Sequence, residues 1–187
     1  MLAKVPIVVS IALIALTTGC TIMAPSYTPD YTVLDALKRQ QLEKIAIEPV
    51  EPKNPKAGIN SISLRGSQLT STSGSYAQYL EDAIKSDLNE AKMLDPNSTF
   101  RLSATLLKND IDVTGFSTGI GTIEAKFSIN RKSITLFDKT IAAETEFESS
   151  FAGAVAIPKA QTEYPNLVRA LLNKLYTDKE FVHVLQK

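Results

Sequence analysis

Hydrophobic and polar residues alternate with period two along much of the second half of the chain. Phe100, Leu102, Ala104 and Leu106 alternate with Arg101, Ser103 and Thr105, and Asp110, Ile111, Asp112 and Val113 continue the extended pattern. After a glycine-rich turn over residues 115–121, Ile123, Ala125, Phe127 and Ile129 alternate with Glu124, Lys126, Ser128 and Asn130. Ile134 and Leu136 lead into Phe137-Asp138-Lys139-Thr140, which reads as a hairpin turn, with residues 141–147 as the return strand. Strands with one apolar and one polar face belong to an antiparallel sheet packed on one side, so helices must cover the apolar side.

Helical spacing supplies two such helices. Tyr76, Leu80, Ile84 and Leu88 recur every four residues, with Tyr79, Ala83 and Ala91 widening the stripe. Ser75, three residues before Gln78, matches a capping box. Glu81 and Lys85 form an i,i+4 pair placed on the outer face. Pro96 ends this helix before Asp95. The second stripe is Tyr164, Leu167, Val168, Leu171, Leu172 and Leu175, with the helix starting near Pro165, since proline fits best in a first turn. A final capped turn follows, with Thr177 or Asp178 as cap and Phe181, Val182 and Leu185 apolar.

Upstream, Ile45, Ile47 and Pro49 share one face of a strand over residues 44–50, and Pro49 suggests a sheet edge or the strand's end. Ile59, Ile62 and Leu64 suggest a short extended piece, and residues 66–74, rich in Ser and Thr, read as a loop. Residues 20–42, with Pro25, Pro29 and Asp30, read as a tether, apart from one or two helical turns over residues 33–42. Residues 149–158 are apolar and uncharged, and read either as a prolonged strand or as an exposed apolar loop. The resulting fold class is α+β: an antiparallel sheet of about four strands covered on one face by two helices, in the order β-α-β-β-β-α.

The first twenty residues change the picture. Lys4 precedes an uncharged, mostly apolar run over residues 5–16, followed by Thr17, Thr18, Gly19 and Cys20. A run of about a dozen residues is too short to span a bilayer and matches the apolar region of a secretory signal. Cys20 is the single cysteine of the chain. Gly19-Cys20 after the apolar run resembles the bacterial lipobox, although Thr17 stands where that motif carries Leu. The resemblance implies cleavage between Gly19 and Cys20 and acylation of Cys20. It also implies an outer-membrane address, because Thr21 replaces the Asp that marks inner-membrane retention. Several acyl chains on one residue hold a protein stably at a membrane. The expected organisation is therefore a signal peptide over residues 1–19, a lipidated tether over 20–42, and a periplasmic domain over 43–187.

Composition narrows the function classes. After removal of residues 1–19 the chain carries 19 Lys and Arg against 20 acidic residues, without the basic excess of a nucleic-acid binder. No thiol remains for a disulfide, a metal site or a nucleophile. His183 is the only histidine and stands near the C-terminus with no evident partner; no cofactor or metal is expected. Gly115-Phe116-Ser117-Thr118-Gly119-Ile120-Gly121 lacks the Gly-Lys-Ser/Thr ending of a phosphate loop. Asp110 and Asp112 read as solvent-facing residues guarding against edge pairing, and Asp178, Lys179 and Glu180 as a solvated face.

With the lipobox at Cys20, the helix over residues 76–91, the strands over 100–147 and the ending at 171–182, the chain resembles the small YajG-like lipoproteins of Gram-negative bacteria. More distantly it resembles the auxiliary lipoproteins of ABC-type lipid transport systems. A tethered, neutral domain with an open-edged sheet and no catalytic constellation leads to the expectation of a non-enzymatic outer-membrane lipoprotein with an envelope protein partner, met through an edge such as residues 44–50. The second resemblance implies a lipid- or small-ligand-binding protein, with ligand held between the sheet and the helices at 76–91 and 164–175.

Overall fold

The computed structural model describes residues 21–187. Gly19, Cys20 and the segment before them lie outside the described residues, as does the expected signal peptide. A four-stranded sheet forms the centre, built from β2 (Ala46–Ile47), β5 (Phe100–Asp112), β6 (Thr118–Arg131) and β7 (Ile134–Glu148) in that order. The last three strands form an antiparallel meander, whereas β2 runs parallel to β5. The sheet is thus mixed, because the chain returns from β2 through a helix on the sheet's apolar face before entering β5. A parallel neighbour needs such a crossover.

The helices are α1 (Tyr31–Arg39), α2 (Tyr76–Glu90), α3 (Gly153–Thr177) and α4 (Lys179–Val184). Helices α2 and α3 pack on the central sheet, and the order β-α-β-β-β-α holds for that sheet and these two helices alone, because β3 and β4 are inserted between β2 and α2. Two further helices and a second sheet surround that unit. The second sheet has three strands in the order β1 (Thr21–Met23), β4 (Ser67–Thr70), β3 (Ile62–Leu64), with β1 parallel to β4 and β3 antiparallel to it.

The meander's burial alternates as its sequence does. Phe100, Leu102, Ala104 and Leu106 face the core, and so do Ile111 and Val113. The change from even to odd positions is made by a bulge at Leu107, which is exposed and unpaired between Leu106 and Lys108. One extra residue flips every later side chain to the other face. Ile123, Ala125, Phe127 and Ile129 of β6 meet Leu80, Ile84, Leu167 and Leu171 of the helices in one apolar cluster.

Several expected boundaries differ. The hairpin turns at Lys132-Ser133, where Lys132 has φ 56°, and β7 runs unbroken through residues 137–140. Residues 67–70, expected as loop, pair as β4 and bury Leu69. Residues 149–158 are neither strand nor free loop. After a short bend the chain enters α3 at Gly153, and the helix continues past Pro158 and Pro165. Alanines at 152, 154, 156 and 160 favour helix there, and Ala156 and Ala160 are fully buried.

Capping follows the sequence. Ser75 Oγ accepts from Gln78 N at 3.1 Å, and Asp178 Oδ1 accepts from Glu180 N and Phe181 N at the start of α4. Glu81, expected on the outer face of α2, is instead buried. Its Oε2 accepts from Val50 N at 2.9 Å and its Oε1 from Lys85 Nζ at 2.6 Å.

Candidate functional site

The N-terminal segment is stitched onto the domain and is not a free tether. β1 aligns with β4 in the register Thr21↔Gln68 to Met23↔Thr70. From there successive residues are held by side chains of α2 and α3. Gln161 Nε2 donates to Met23 O at 2.6 Å, and the Tyr79 hydroxyl donates to Pro25 O at 2.8 Å. Arg169 Nη1 donates to Thr28 O and Oγ1, both at 3.0 Å, and Asn173 Nδ2 donates to Asp30 Oδ2 at 3.0 Å. Asp30 then caps α1 through its other oxygen, which accepts from Thr32 N. Backbone groups of an extended, proline-bearing segment need partners once they leave water, and these long side chains supply them.

At the centre of this seam lies a buried carboxylate. The Tyr27 hydroxyl donates to Asp87 Oδ2 at 2.8 Å, and Asp87 is 1% exposed. Burial pushes the Asp87 carboxyl up to about 6 against the lowering effect of Tyr27 and Tyr176. Asp87 Oδ1 and the Tyr176 hydroxyl are buried without a hydrogen-bond partner of standard length, although Tyr176 leans on this carboxylate. Burial, with the Asp87 charge, also pushes both tyrosine hydroxyls up. The cluster ties the N-terminal segment to α2 and α3, with Asp87 and Tyr176 buried and Tyr27 partly buried.

Helix α1 and α4 flank an apolar groove of about 630 Å³, lined by Val33, Ala36, Leu37, Tyr176, Val182 and His183, among others. Ligand pockets commonly span about 300–1,000 Å³. His183 sits on this groove with Gln186 Oε1 3.3 Å from its Nδ1, and Tyr176 and Thr177 line it as well, with no carboxylate among the described lining residues. The space between sheet and helices, where a ligand was expected, is filled instead. Leu102, Ile123, Ala125, Phe127 and Ile129 face Leu80, Ile84, Leu167 and Leu171, all at 0–1% exposure.

The remaining sequence candidates resolve as follows. The edge at residues 44–50 is a poor docking strand. Only Ala46–Ile47 is regular strand, Pro49 has no N–H, and the Val50 N–H is taken by Glu81. The long open edge is β7, where Glu144, Glu146 and Glu148 are exposed. Asp110 and Asp112 face solvent, and Asp112 Oδ1 accepts from Thr114 N. The glycines near 115–121 serve packing. A Cβ on Gly119 would lie 2.4 Å from the Phe147 ring, and one on Gly121 would lie 3.1 Å from Leu167 of α3. Asp178 and Glu180, taken for a solvated face, together bind Lys139 Nζ, each at 3.0 Å. Among the described residues no helix is long and apolar enough to cross a membrane, and no cluster of three His, Cys, Asp or Glu side chains is arranged to hold a metal.

No protein-family model matches the chain, and no curated protein matches it in sequence. Solved structures do match in shape. Protein XCC0632 from Xanthomonas campestris, of family DUF330, superposes with a TM-score of 0.54 at 12% identity, covering 83% of this chain and 94% of its own. A protein from Caulobacter crescentus CB15 matches with a TM-score of 0.45 at 10% identity, covering 83% and 96%. The minor lipoprotein from Acinetobacter baumannii matches with a TM-score of 0.40 at 13% identity, covering 78% and 91%. The first of these shows a shared fold over most of both chains.

Proposed function

We propose that this chain is an outer-membrane lipoprotein, acylated at Cys20, that serves on the periplasmic face as a non-enzymatic accessory module of an envelope assembly. The observation that carries this reading is the junction at residue 20. An apolar signal-like run ends at Gly19-Cys20, the pattern of a processed and acylated N-terminus. Acylation at Cys20 would place lipid next to Thr21, which pairs with Gln68. Changing Cys20 to Ser tests the anchor. The variant should leave the membrane fraction or persist as unprocessed precursor, and unchanged processing and fractionation would contradict the reading.

A partner strand, if one is added, joins the open edge of β7, where the glutamates favour a basic segment. A second reading is favoured by the groove between α1 and α4, which suits an acyl chain or a small apolar ligand. Native mass spectrometry of the protein from membranes separates the two. Co-purifying lipid lost on Val182→Trp supports ligand binding, and unliganded protein leaves the accessory role.

A further inference from the structure

We infer that the end of the domain beside Thr21 is a second membrane contact, in which Phe116 and Phe151 enter the surface of an uncharged, zwitterionic bilayer. This rests on the reading of Cys20 as the acylated residue. The two rings stack at 5.6 Å between centroids with 17° between their planes, yet they remain 81% and 70% exposed. Val155, in the first turn of α3, adds a half-exposed side chain at the same end. Isolated apolar residues on a surface are ordinary, but paired exposed aromatics on fixed loops form a patch that favours an apolar or interfacial neighbour.

Arg65 fixes this patch in place. With Gly66 it forms the two-residue turn between β3 and β4, both residues having positive φ, 50° and 86°. Its guanidinium then ties three loops together. Nε donates to Val113 O at 3.1 Å, Nη2 to Val113 O and to Ser150 O, and Nη1 to Phe151 O. Its Cζ also lies 5.8 Å from the Phe151 ring. The loop carrying Phe116 and the loop carrying Phe151 are thereby held at the tip of the β3–β4 hairpin.

The chain's entry point lies at that same tip. Thr21 pairs with Gln68, two residues from Gly66, so strand spacing puts Thr21 about 8 Å from the turn. Lipid attached at residue 20 therefore reaches the bilayer beside the aromatic pair, with no slack in a tether bound along its length. Asp112, Glu146 and Glu148 lie on the outer sheet face near this end, and only Glu148 is paired, with Lys159. These carboxylates oppose an anionic surface and leave a neutral one as the occupant.

The chain has no tryptophan, so single substitutions give clean probes. Full-length protein, processed in cells and purified with its anchor, is reconstituted into phosphatidylcholine vesicles with brominated acyl chains. Phe116→Trp and Phe151→Trp should each lose roughly half their emission or more, as an indole at acyl-chain depth would. Leu136→Trp, at the opposite end of the meander about 40 Å away, should be unaffected. Intact mass reads the anchor separately. Acylated, vesicle-bound protein with unquenched probes overturns the aromatic contact alone, whereas unacylated protein overturns both it and the anchoring. Probes shielded in native membranes but unquenched in pure lipid would assign the patch to a protein neighbour, again overturning the inference.

Discussion

The Tyr27 hydroxyl donates to Asp87 Oδ2 at 2.8 Å, joining residues 60 apart in sequence and fastening the N-terminal segment to α2. Asp87 is buried and its other oxygen lacks a partner, so this bond is the main satisfaction of a charge removed from water. Tyr27→Phe should therefore lower stability by about 1–3 kcal/mol in urea unfolding, the cost of stranding a buried acceptor. Tyr31→Phe, at an exposed tyrosine, should stay within about 0.5 kcal/mol of the parent.

Stability should also carry a pH signature from Asp87. Burial raises its folded-state carboxyl to about 6 from an ordinary value of 3.8. Between those values the folded protein binds more protons than the unfolded chain, so this group's contribution falls as pH rises. The full difference between pH 4 and pH 7 is about 2–3 kcal/mol. Asp30, Glu81, Asp112, Glu148 and Asp178 are held below their ordinary range and act in the opposite sense in acid, masking the effect in the parent. Asp87→Asn retains an acceptor for Tyr27 and removes the titration. The stability of the parent minus that of the variant should fall across this window, and a flat difference would contradict the assignment.

Glu81 and Lys85 should behave unequally although they form one ion pair. Glu81→Ala leaves the Val50 N–H buried without an acceptor and should cost about 2–3 kcal/mol. Lys85→Ala removes a half-exposed partner and should cost less than about 1 kcal/mol. Hydrogen exchange at the Val50 amide should accelerate in the first variant and not in the second.

Asp178 joins two elements. It caps α4 through Oδ1 and binds Lys139 of β7 through Oδ2 at 3.0 Å. Asp178→Ala should cost about 1–2 kcal/mol, chiefly through the lost cap. Asp178→Asn should recover most of that loss, since it keeps the capping acceptor and Lys139 retains Glu180 as an ion-pair partner.

Periodicity made the core unit legible. The stripes of α2 and of α3 beyond Tyr164, and the alternation in β5 and β6, each report burial on one face, which local sequence records directly. The β7 hairpin was misplaced because Lys139 points toward the core side while staying charged. It does so at the sheet edge, where Asp178 and Glu180 receive its ammonium and Phe137 lies beneath it. Residues 21–30 read locally as a tether for a different reason. Their side-chain partners, Tyr79, Asp87, Gln161, Arg169 and Asn173, stand 54 to 143 residues away in sequence, and no local pattern announces such bonds. Arg65 was likewise silent, since its role depends on carbonyls of two distant loops. Cys20, the proposed acylation site, is singled out by the signal-like run before it and not by folding.

The anchoring at Cys20 is tested most directly by the intact mass and N-terminal peptide of the mature protein purified from membranes. The account predicts a chain beginning at Cys20 that carries the added mass of fatty acyl groups on that residue. A chain that retains residues 1–19, or one that begins at Cys20 with a free thiol, would contradict it.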